Sequence, residues 1–285
     1  MDRWSPSRIV CLTVETAEIV AELGALDRIV GKISQCRLNG SNGKIPNVGG
    51  YGNPSLEKIE VLNPDLIIAY SDLQGEVVGQ LMTAGYTVLG LNQLTLEEMF
   101  QSIELIGRVI GKIPQSTRMA GSLRKKVEKM RRKNSRRKRI PKVYFEEWYK
   151  PLVSGIRWVS EMIEVAGGED VFHSLSFGKH ANDRCIQSRD VIEAQPDVIV
   201  VSWCGKKADL KRIRNRKGWN RIPAIQTGDL VEIPSRYLLQ PGPILLEGIA
   251  QFATAFDHWG KGETQTEGRG NLGVQSNGRT GTFRF

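Results

Sequence analysis

The sequence predicts an α/β fold of two Rossmann-like lobes, each with a parallel sheet, that are joined by a single long helix and leave a ligand cleft between them. Three observations lead to this expectation. Short apolar runs alternate with helical patterns, one helix-and-strand unit occurs twice, and a long basic helical stretch separates the two copies. Such alternation is typical of parallel sheets that are covered by helices on both faces.

The 285 residues are sufficient for two domains of ordinary size. We predict an N-terminal α/β lobe over 7–113, a basic connecting helix over 114–141 and a C-terminal α/β lobe over 142–259. The remaining segment, 260–285, is rich in Gly, Thr, Asn and Gln and has little to bury. It is therefore expected to be a disordered tail.

The first lobe begins with a short apolar run from Arg8 to Leu12, which predicts a strand, and Thr16 is placed to cap the helix that follows. Ser55 can cap a second, short helix with the sequence LEKIEVL, which the Asn-Pro-Asp triplet at 63–65 ends. The wholly apolar run LIIAY comes next. A run of this kind predicts a strand that is buried on both faces of a parallel sheet.

The most informative pattern is an internal duplication. The segment SLEKIEVLNPDLIIAYS in the first half matches SRDVIEAQPDVIVVSW in the second, with Pro-Asp at 64–65 against 196–197 and Ile59 against Val191. A helix, a Pro-Asp break and a strand can also recur by chance in α/β proteins. The matching context in both halves favours duplication, and hence two lobes of the same construction.

The connecting stretch is strongly basic. From 118 to 139 it contains twelve Lys or Arg and one acid, a formal charge of +11, so the remainder of the chain carries −2 of the total of +9. Pro114 can precede the helix and Ser116 can cap it. One apolar stripe recurs at helical spacing and predicts the face that packs on the lobes; its residues are Met119, Leu123, Val127 and Met130.

The charge of this stretch has three interpretations. It can be a solvated helix face, a surface for anionic lipid headgroups, or a site of weak, salt-sensitive adhesion to nucleic acid. The stretch lacks interleaved aromatic residues for base stacking and matches no reading motif, so no specific nucleic-acid partner is expected.

Aromatic residues recur just after the predicted strands, where ligands of parallel sheets bind. Large rigid rings in such positions suit a bulky, flat ligand, although any one of them can also close the end of a core. The candidate ligand-binding residues are Tyr51, Tyr70, Trp148, Trp203 and Tyr237.

Catalytic and metal-binding patterns are weak. The chain has no GxSxG, HExxH or Walker A motif, and its four cysteines show no CxxC spacing. Glu146 and Glu147 are adjacent, so on a strand their side chains point to opposite faces. We therefore expect neither catalytic residues nor a protein-held metal nor a covalent cofactor, and we expect a protein that binds rather than catalyses.

Together these residues resemble the class III substrate-binding proteins of ABC importers, the cobalamin and ferric-siderophore group. The resemblance covers about Ser7 to Trp259 and lies in SRIVCLTVETAEIVAELGALDRIVG, in SLEKIEVLNPDLIIAY and, for the cobalamin-binding branch, in FEEWYKPLVSGIRWVSEMIEVAGGEDVF and QPDVIVVSWCGKK. It implies a monomer that carries cobalamin or a related chelate, such as a ferric siderophore or haem, to a membrane permease.

The resemblance also implies that one acidic residue on each lobe contacts the permease. Glu57 matches the first position, whereas the second falls on Arg189, with Asp190 beside it as the substitute. A location outside the cytoplasmic membrane is implied as well. The chain shows no export leader, so a cytoplasmic location stays open, and with it the alternative of a two-lobed enzyme that handles a corrinoid or another metal cofactor, or of a degenerate paralogue.

Overall fold

The computed structural model describes residues 5–38, 40 and 44–262. These residues form two compact units. The first holds the described residues up to Gln93, together with Glu97–Arg124 and Pro241–Pro243. The second holds Leu94–Leu96, Lys125–Gln240 and the described residues from Ile244 onward. The predicted tail, 260–285, lies outside the described residues except for its first three positions.

The first unit is built on a parallel sheet. The strands of this part of the chain are β1 (Ile9–Cys11), β2 (Ile29–Lys32), β3 (Gly49–Gly50), β4 (Asn53–Pro54), β5 (Leu66–Tyr70) and β6 (Val88–Leu91). The main sheet has the order β2-β1-β5-β6 with every neighbouring pair parallel, while β3 and β4 form a small hairpin. All five residues of β5 are buried, as the apolar run LIIAY predicted.

Helices follow these strands, and the residues that cap two of them can be compared with the caps predicted from the sequence. The helices are α1 (Val14–Val20), α2 (Leu56–Val61), α3 (Gly75–Thr83) and α4 (Leu96–Val109). Ser55 caps α2, as predicted, because its hydroxyl accepts from the Lys58 backbone N–H at 3.3 Å. The prediction for Thr16 was wrong. Thr13 caps α1 from an extended conformation and accepts from the Thr16 N–H, so Thr16 lies inside the first turn.

The long helix α5 runs from Ile113 to Asn134. It begins before Ser116, so the predicted cap was wrong. Pro114 occupies the first turn, where its missing N–H has no intrahelical partner to lose, and the Ser116 hydroxyl donates to the Ile113 carbonyl at 3.0 Å. Ser116 also packs on α4 so closely that a Cβ at Gly107 would lie 2.0 Å from its oxygen.

The predicted apolar stripe of α5 is buried at Met119, Leu123 and Val127 and half-buried at Met130. Arg124, the second basic residue of the helix, binds α4. Its guanidinium donates to both Glu97 oxygens at 2.6 and 3.0 Å and to Glu104 at 2.8 Å. This clamp lowers the pKa of Glu97. At least one of the twelve cations of the basic stretch, Arg124, is therefore structural.

The second unit repeats the construction of the first. Its strands are β7 (Lys142–Glu146), β8 (Trp148–Tyr149), β9 (Leu152–Val153), β10 (Glu169–Asp170), β11 (Cys185–Ile186), β12 (Val198–Val201) and β13 (Leu230–Glu232). The main sheet has the order β10-β7-β12-β13, again with parallel neighbours. The order β11-β9-β8 forms a small antiparallel sheet beside it.

The helices of the second unit cover this sheet. They are α6 (Arg157–Val165), α7 (Ser188–Ala194), α8 (Leu210–Arg214), α9 (Pro223–Thr227) and α10 (Leu245–Gly260). Tyr144 and Trp219 are fully buried at the centre of one core cluster, with their rings edge to face at a centroid distance of 6.2 Å. The predicted α/β class with parallel sheets is confirmed.

The duplication extends to the backbone. Asn63 and Gln195, which precede the two Pro-Asp pairs, both adopt the left-handed conformation, at φ 43° and 46°. Asp65 accepts from the Arg8 N–H at 2.9 Å, and Asp197 accepts from the Lys142 N–H at the same distance. Each carboxylate thereby ties the turn to the first strand of its own sheet. Left-handed φ is unfavourable for Gln, whereas Asn tolerates it better than most residues with a side chain. The adoption of this conformation by Gln195 as well as Asn63 therefore reflects a requirement of the turn.

Candidate functional site

In the first unit, the aromatic candidates lie together at the carboxyl end of β5. Tyr70 is the last residue of that strand and is 7% exposed. Its hydroxyl donates to the Gln93 carbonyl at 3.2 Å. The Tyr51 hydroxyl lies 2.7 Å from the Ser71 hydroxyl and 3.4 Å from the Tyr70 carbonyl. The structure therefore brings the two predicted residues to one place and leaves Tyr51 as the more accessible ring.

A buried amide that sequence reasoning missed holds this end of the sheet. Gln74 is 1% exposed. Its side-chain nitrogen donates to the carbonyls of Leu12 and Tyr51 at 2.9 and 2.8 Å, and its oxygen accepts from the Tyr70 N–H at 3.1 Å. A single neutral side chain thus joins the end of β1, the Tyr51 loop and the end of β5.

The residue that follows Tyr70 has a strained backbone. Ser71 has φ 68° and ψ 160°, a region that is almost exclusive to glycine. Its hydroxyl accepts from the Leu73 N–H at 3.3 Å and begins the turn that carries Gln74. Strain of this kind, of order 1–3 kcal/mol, persists only where the surroundings impose it, and it is frequent at binding sites.

In the second unit, a buried carboxylate organises the corresponding strand ends. Glu146, the last residue of β7, is fully buried. It accepts from the Tyr144 hydroxyl at 3.1 Å, from the Trp203 indole N–H at 3.0 Å and from the Arg216 guanidinium at 2.9 Å. Burial and then the Glu146 charge raise the pKa of Tyr144. The carboxylate is therefore paired and hydrogen-bonded, as a buried charge requires.

Trp203 is the base of an aromatic stack. It is 3% exposed, and Tyr149 covers it at a ring-centroid distance of 4.5 Å. Trp148 lies against Tyr149 at 5.1 Å. Trp203 therefore supports the stack from below, while Trp148 and Tyr149 are the partly exposed rings. Tyr149 was not among the residues predicted from sequence, and its position directly after Trp148 was the signal that could have identified it.

Two cations lie against the exposed side of the stack. The Lys206 ammonium donates to the Tyr149 hydroxyl at 3.1 Å and stands 4.8 Å from the ring centroid, and Arg212 stands 5.7 Å from it. The hydrogen bond and charge of Lys206 lower the pKa of the Tyr149 hydroxyl. This end of the sheet combines flat aromatic surface with positive charge, an arrangement suited to a flat ligand that carries anionic groups.

Tyr237 belongs to a neighbouring turn. Arg236 stacks on its ring at 4.4 Å and bonds its hydroxyl. Ser235 of the same turn accepts from the Gly205 N–H at 3.4 Å, so the turn is joined to the loop that follows Trp203. Tyr237 is half-buried. The three aromatic candidates of the second unit therefore belong to one connected group of loops.

The predicted permease-contact residues lie on the two repeated helices. Glu57 and Arg189 occupy the same position, the second residue of α2 and of α7 respectively, and both are exposed. Asp190 has a different role in its helix. Its carboxylate accepts from the Gln187 N–H at 2.7 Å to cap α7, and its other oxygen lies 3.4 Å from the Arg189 guanidinium. The first repeat therefore has an exposed acidic residue at this helix position, and the second repeat has an exposed basic one.

The part of the chain that the structure describes contains no cluster of three or more His, Cys, Asp or Glu side chains suited to a metal ion. Nor does any helix there combine the length and apolar content that crossing a bilayer requires.

Comparison with known proteins decides the family. The model of a family described as periplasmic binding protein matches residues 9–237. The chain belongs to this family. The match spans both sheets and all the candidate residues.

Individual relatives agree with that assignment. The chain is 26% identical over 260 residues to an uncharacterized ABC transporter substrate-binding lipoprotein, YvrC, from Bacillus subtilis, with 87% of this chain and 79% of the relative covered. It is 25% identical over 265 residues to a cobalamin-binding protein from Halobacterium salinarum, with 88% and 69% covered. The periplasmic heme-binding protein RhuT from Roseiflexus has the same fold, at a TM-score of 0.75, 24% identity and coverage of 90% and 100%.

Proposed function

We propose that this protein is the substrate-binding component of an ABC importer and that it carries cobalamin or a related metal chelate, such as haem or a ferric siderophore. Family membership supports the transport role, since members bind small molecules for import. The names of the halobacterial and Roseiflexus relatives support the chelate class. In this proposal the protein acts outside the cytoplasmic membrane, as its lipoprotein and periplasmic relatives do.

The observation that carries the ligand class is the aromatic stack of the second unit. Trp203 is fixed from below by Glu146, and Tyr149 lies on it with Lys206 and Arg212 at its edge. A corrin or porphyrin is a large flat ring system that carries polar or anionic side chains. Rigid aromatic faces with cations at the rim match both properties, and their fixed geometry lowers the entropy lost on binding.

In the first unit we propose Tyr51 as the ligand-contacting ring and Tyr70 as its support. Tyr70 is buried and bonded to Gln93, whereas Tyr51 is held at the strand end by Ser71. Trp148, Trp203 and Tyr237 complete the proposed set in the second unit. Of these, Trp203 acts mainly by holding Tyr149 in place.

The test is a ligand panel. Purified protein is titrated with cyanocobalamin, haemin and a ferric siderophore, and Trp fluorescence and thermal midpoint are followed. We expect one of the three to quench fluorescence and raise the midpoint, with a dissociation constant below about 10 µM. Failure of all three to bind at ten times that concentration would contradict the proposal.

Contact with a permease is a separate part of the proposal, with Glu57 on the first unit and Asp190 on the second. Because Arg189 stands at the position equivalent to Glu57 and pairs with Asp190, we expect the first contact to be the stronger. The Glu57→Lys variant should lose co-purification with the permease complex, while Arg189→Glu should strengthen it. An unchanged yield for Glu57→Lys would remove this part of the proposal and leave ligand binding unaffected.

A further inference from the structure

The second unit carries a dense positive surface that ligand binding does not explain. Residues 125–139 contain ten Lys or Arg and one acid, Glu128. Eight of these cations are exposed, and we call them the basic surface. They are Lys125, Lys129, Arg131, Arg132, Lys133, Arg136, Lys138 and Arg139.

Intramolecular bonding accounts for only a small part of this charge. Arg137 is held inside the unit, since its side chain is 12% exposed and bonds Asp257 at 2.6 Å. Glu128 accepts from Arg132 at 2.7 Å and lies 3.9 Å from Arg131. Within the part of the chain that the structure describes, one carboxylate, Glu128, therefore pairs with this surface of eight positive side chains. A charge excess of this size repels itself and destabilises the folded protein unless an external anion offsets it.

The cations are ordered along one side of the helix. Lys125, Lys129 and Arg132 recur at spacings of four and three, on the face opposite the buried Leu123 and Val127. They span roughly 10 Å of helix at 1.5 Å per residue. Three further members of the basic surface follow the helix end at Asn134, namely Arg136, Lys138 and Arg139. Because neighbouring charges lie within a Debye length of about 8 Å, their fields add at physiological salt.

Apolar groups stand at the end of this positive row. Ile140, which follows Arg139 directly, is 62% exposed. Trp259 of α10 is half-buried, and the Arg139 guanidinium lies 4.6 Å from its ring centroid. An exposed Ile and an amphipathic Trp among Lys and Arg form the combination that enters the headgroup region of a bilayer.

We propose that the basic surface binds the headgroups of an anionic phospholipid bilayer, with Ile140 and Trp259 entering the interface beside them. The cations supply attraction to the lipid phosphates that adds up over the Lys and Arg side chains near the surface. Ile140 distinguishes a membrane from a nucleic acid, because a bilayer rewards burial of an aliphatic side chain and a phosphate backbone does not. The function is additional to ligand binding and uses none of the proposed ligand residues.

The test is co-sedimentation of the full chain with vesicles of phosphatidylcholine alone and with about 30 mol % phosphatidylglycerol added. The test variant carries Lys125→Gln, Lys129→Gln, Arg136→Gln and Lys138→Gln. It spares Arg132, Arg137 and Arg139, which bond Glu128, Asp257 and the Trp259 ring. The matched control removes four exposed cations elsewhere in the same unit, through Lys207→Gln, Lys211→Gln, Arg214→Gln and Lys217→Gln.

We expect binding to the anionic vesicles only, a loss of at least about 30-fold in partitioning for the test variant, and less than about threefold for the control. Ile140→Ser should weaken binding about threefold or more at unchanged net charge. Equal losses in the test variant and the control would show that net charge alone is responsible and would overturn the proposal. So would full competition by duplex DNA or by millimolar inorganic phosphate at physiological salt, each of which assigns the surface to another anion.

Discussion

The two units hold the carboxyl ends of their strands with different chemical groups. Each must join the carboxyl end of its central strands to the loops that carry aromatic rings. The first unit uses the neutral amide of Gln74, which bonds three backbone groups. The second uses the buried carboxylate of Glu146, which bonds Tyr144, Trp203 and Arg216. The two units therefore share a framework but fix their rings with different groups, at different positions of that framework.

The difference has a physical consequence. Removal of a neutral amide leaves uncharged N–H and C=O groups without a hydrogen-bond partner. Removal of one partner of a buried ion pair leaves a buried charge without compensation, which costs more. The second unit should thus depend more strongly on its organising residue. It is also the unit in which the aromatic rings are accompanied by cations, so its rigidity bears directly on the proposed ligand site.

The largest effect is expected at Glu146. The Glu146→Ala variant leaves Arg216 without its carboxylate and the Trp203 indole without its acceptor, and should destabilise the protein by about 3–5 kcal/mol. Denaturant unfolding measures this. Glu128→Ala, which removes an exposed pair with Arg132, is the control and should change stability by less than about 0.5 kcal/mol. Similar losses in the two variants would show that burial of Glu146 does not matter.

A smaller loss is expected at Gln74. The Gln74→Ala variant leaves the carbonyls of Leu12 and Tyr51 and the Tyr70 N–H without their partner, at about 2–3 kcal/mol. Gln80→Ala is the control, since the Gln80 side chain is exposed and its amide makes a long bond to Glu76, at 3.4 Å. If Gln74→Ala destabilised the protein more than Glu146→Ala, the contrast between the units would be reversed.

Glu15, in the first turn of α1, makes the stability of the first unit depend on pH. It is 3% exposed, and burial raises its pKa. The folded protein therefore binds the Glu15 proton more strongly than the unfolded chain does. This contribution is present in full below the unfolded pKa and is lost as pH rises through the folded pKa. Thermal midpoints should thus show Glu15→Gln more stable than the parent at pH 8 and equal to it at pH 4; equal midpoints at both pH values would contradict this.

The smallest effects are expected at the repeated turn. Gln195→Gly relieves the left-handed backbone at φ 46° and should stabilise the protein by about 0.5–1 kcal/mol. Asn63→Gly, at φ 43°, should gain less, because Asn tolerates this conformation better than Gln does. Because the two turns share one geometry, denaturant unfolding should show changes of the same sign in both variants. A gain in one unit and a loss in the other would show that the duplication does not extend to the energetics of the turn.

Local signals in the sequence predicted much of the fold. The run LIIAY, the Ser55 cap and the repeated Pro-Asp pair each depend on neighbouring residues, and the structure contains all three. The wrong caps, Thr16 and Ser116, stand where a second capping or helix-starting residue, Thr13 or Pro114, lies within one turn. Sequence pattern does not rank such alternatives, because the backbone conformation of the first residue decides between them.

The candidate site was predictable only in outline. The rule that ligands bind beyond strand ends selected Tyr70, Trp148 and Trp203. It could not distinguish an accessible ring from a supporting one, since that depends on contacts between distant residues. Arg216 lies 70 positions from Glu146, and Lys206 lies 57 positions from Tyr149. A pattern among neighbouring residues cannot predict pairs that are so far apart in the sequence.

The central claim, that the aromatic end of the second unit binds a flat metal chelate, is tested most directly by the affinity of Tyr149→Ala. Phe177→Ala is the control, because Phe177 is a 62% exposed ring of the same unit outside the stack. With whichever chelate the parent binds, titration should show a loss of at least about tenfold for Tyr149→Ala, equal to about 1.4 kcal/mol, and none for Phe177→Ala. Unchanged affinity in Tyr149→Ala, with its fold intact, would contradict the claim.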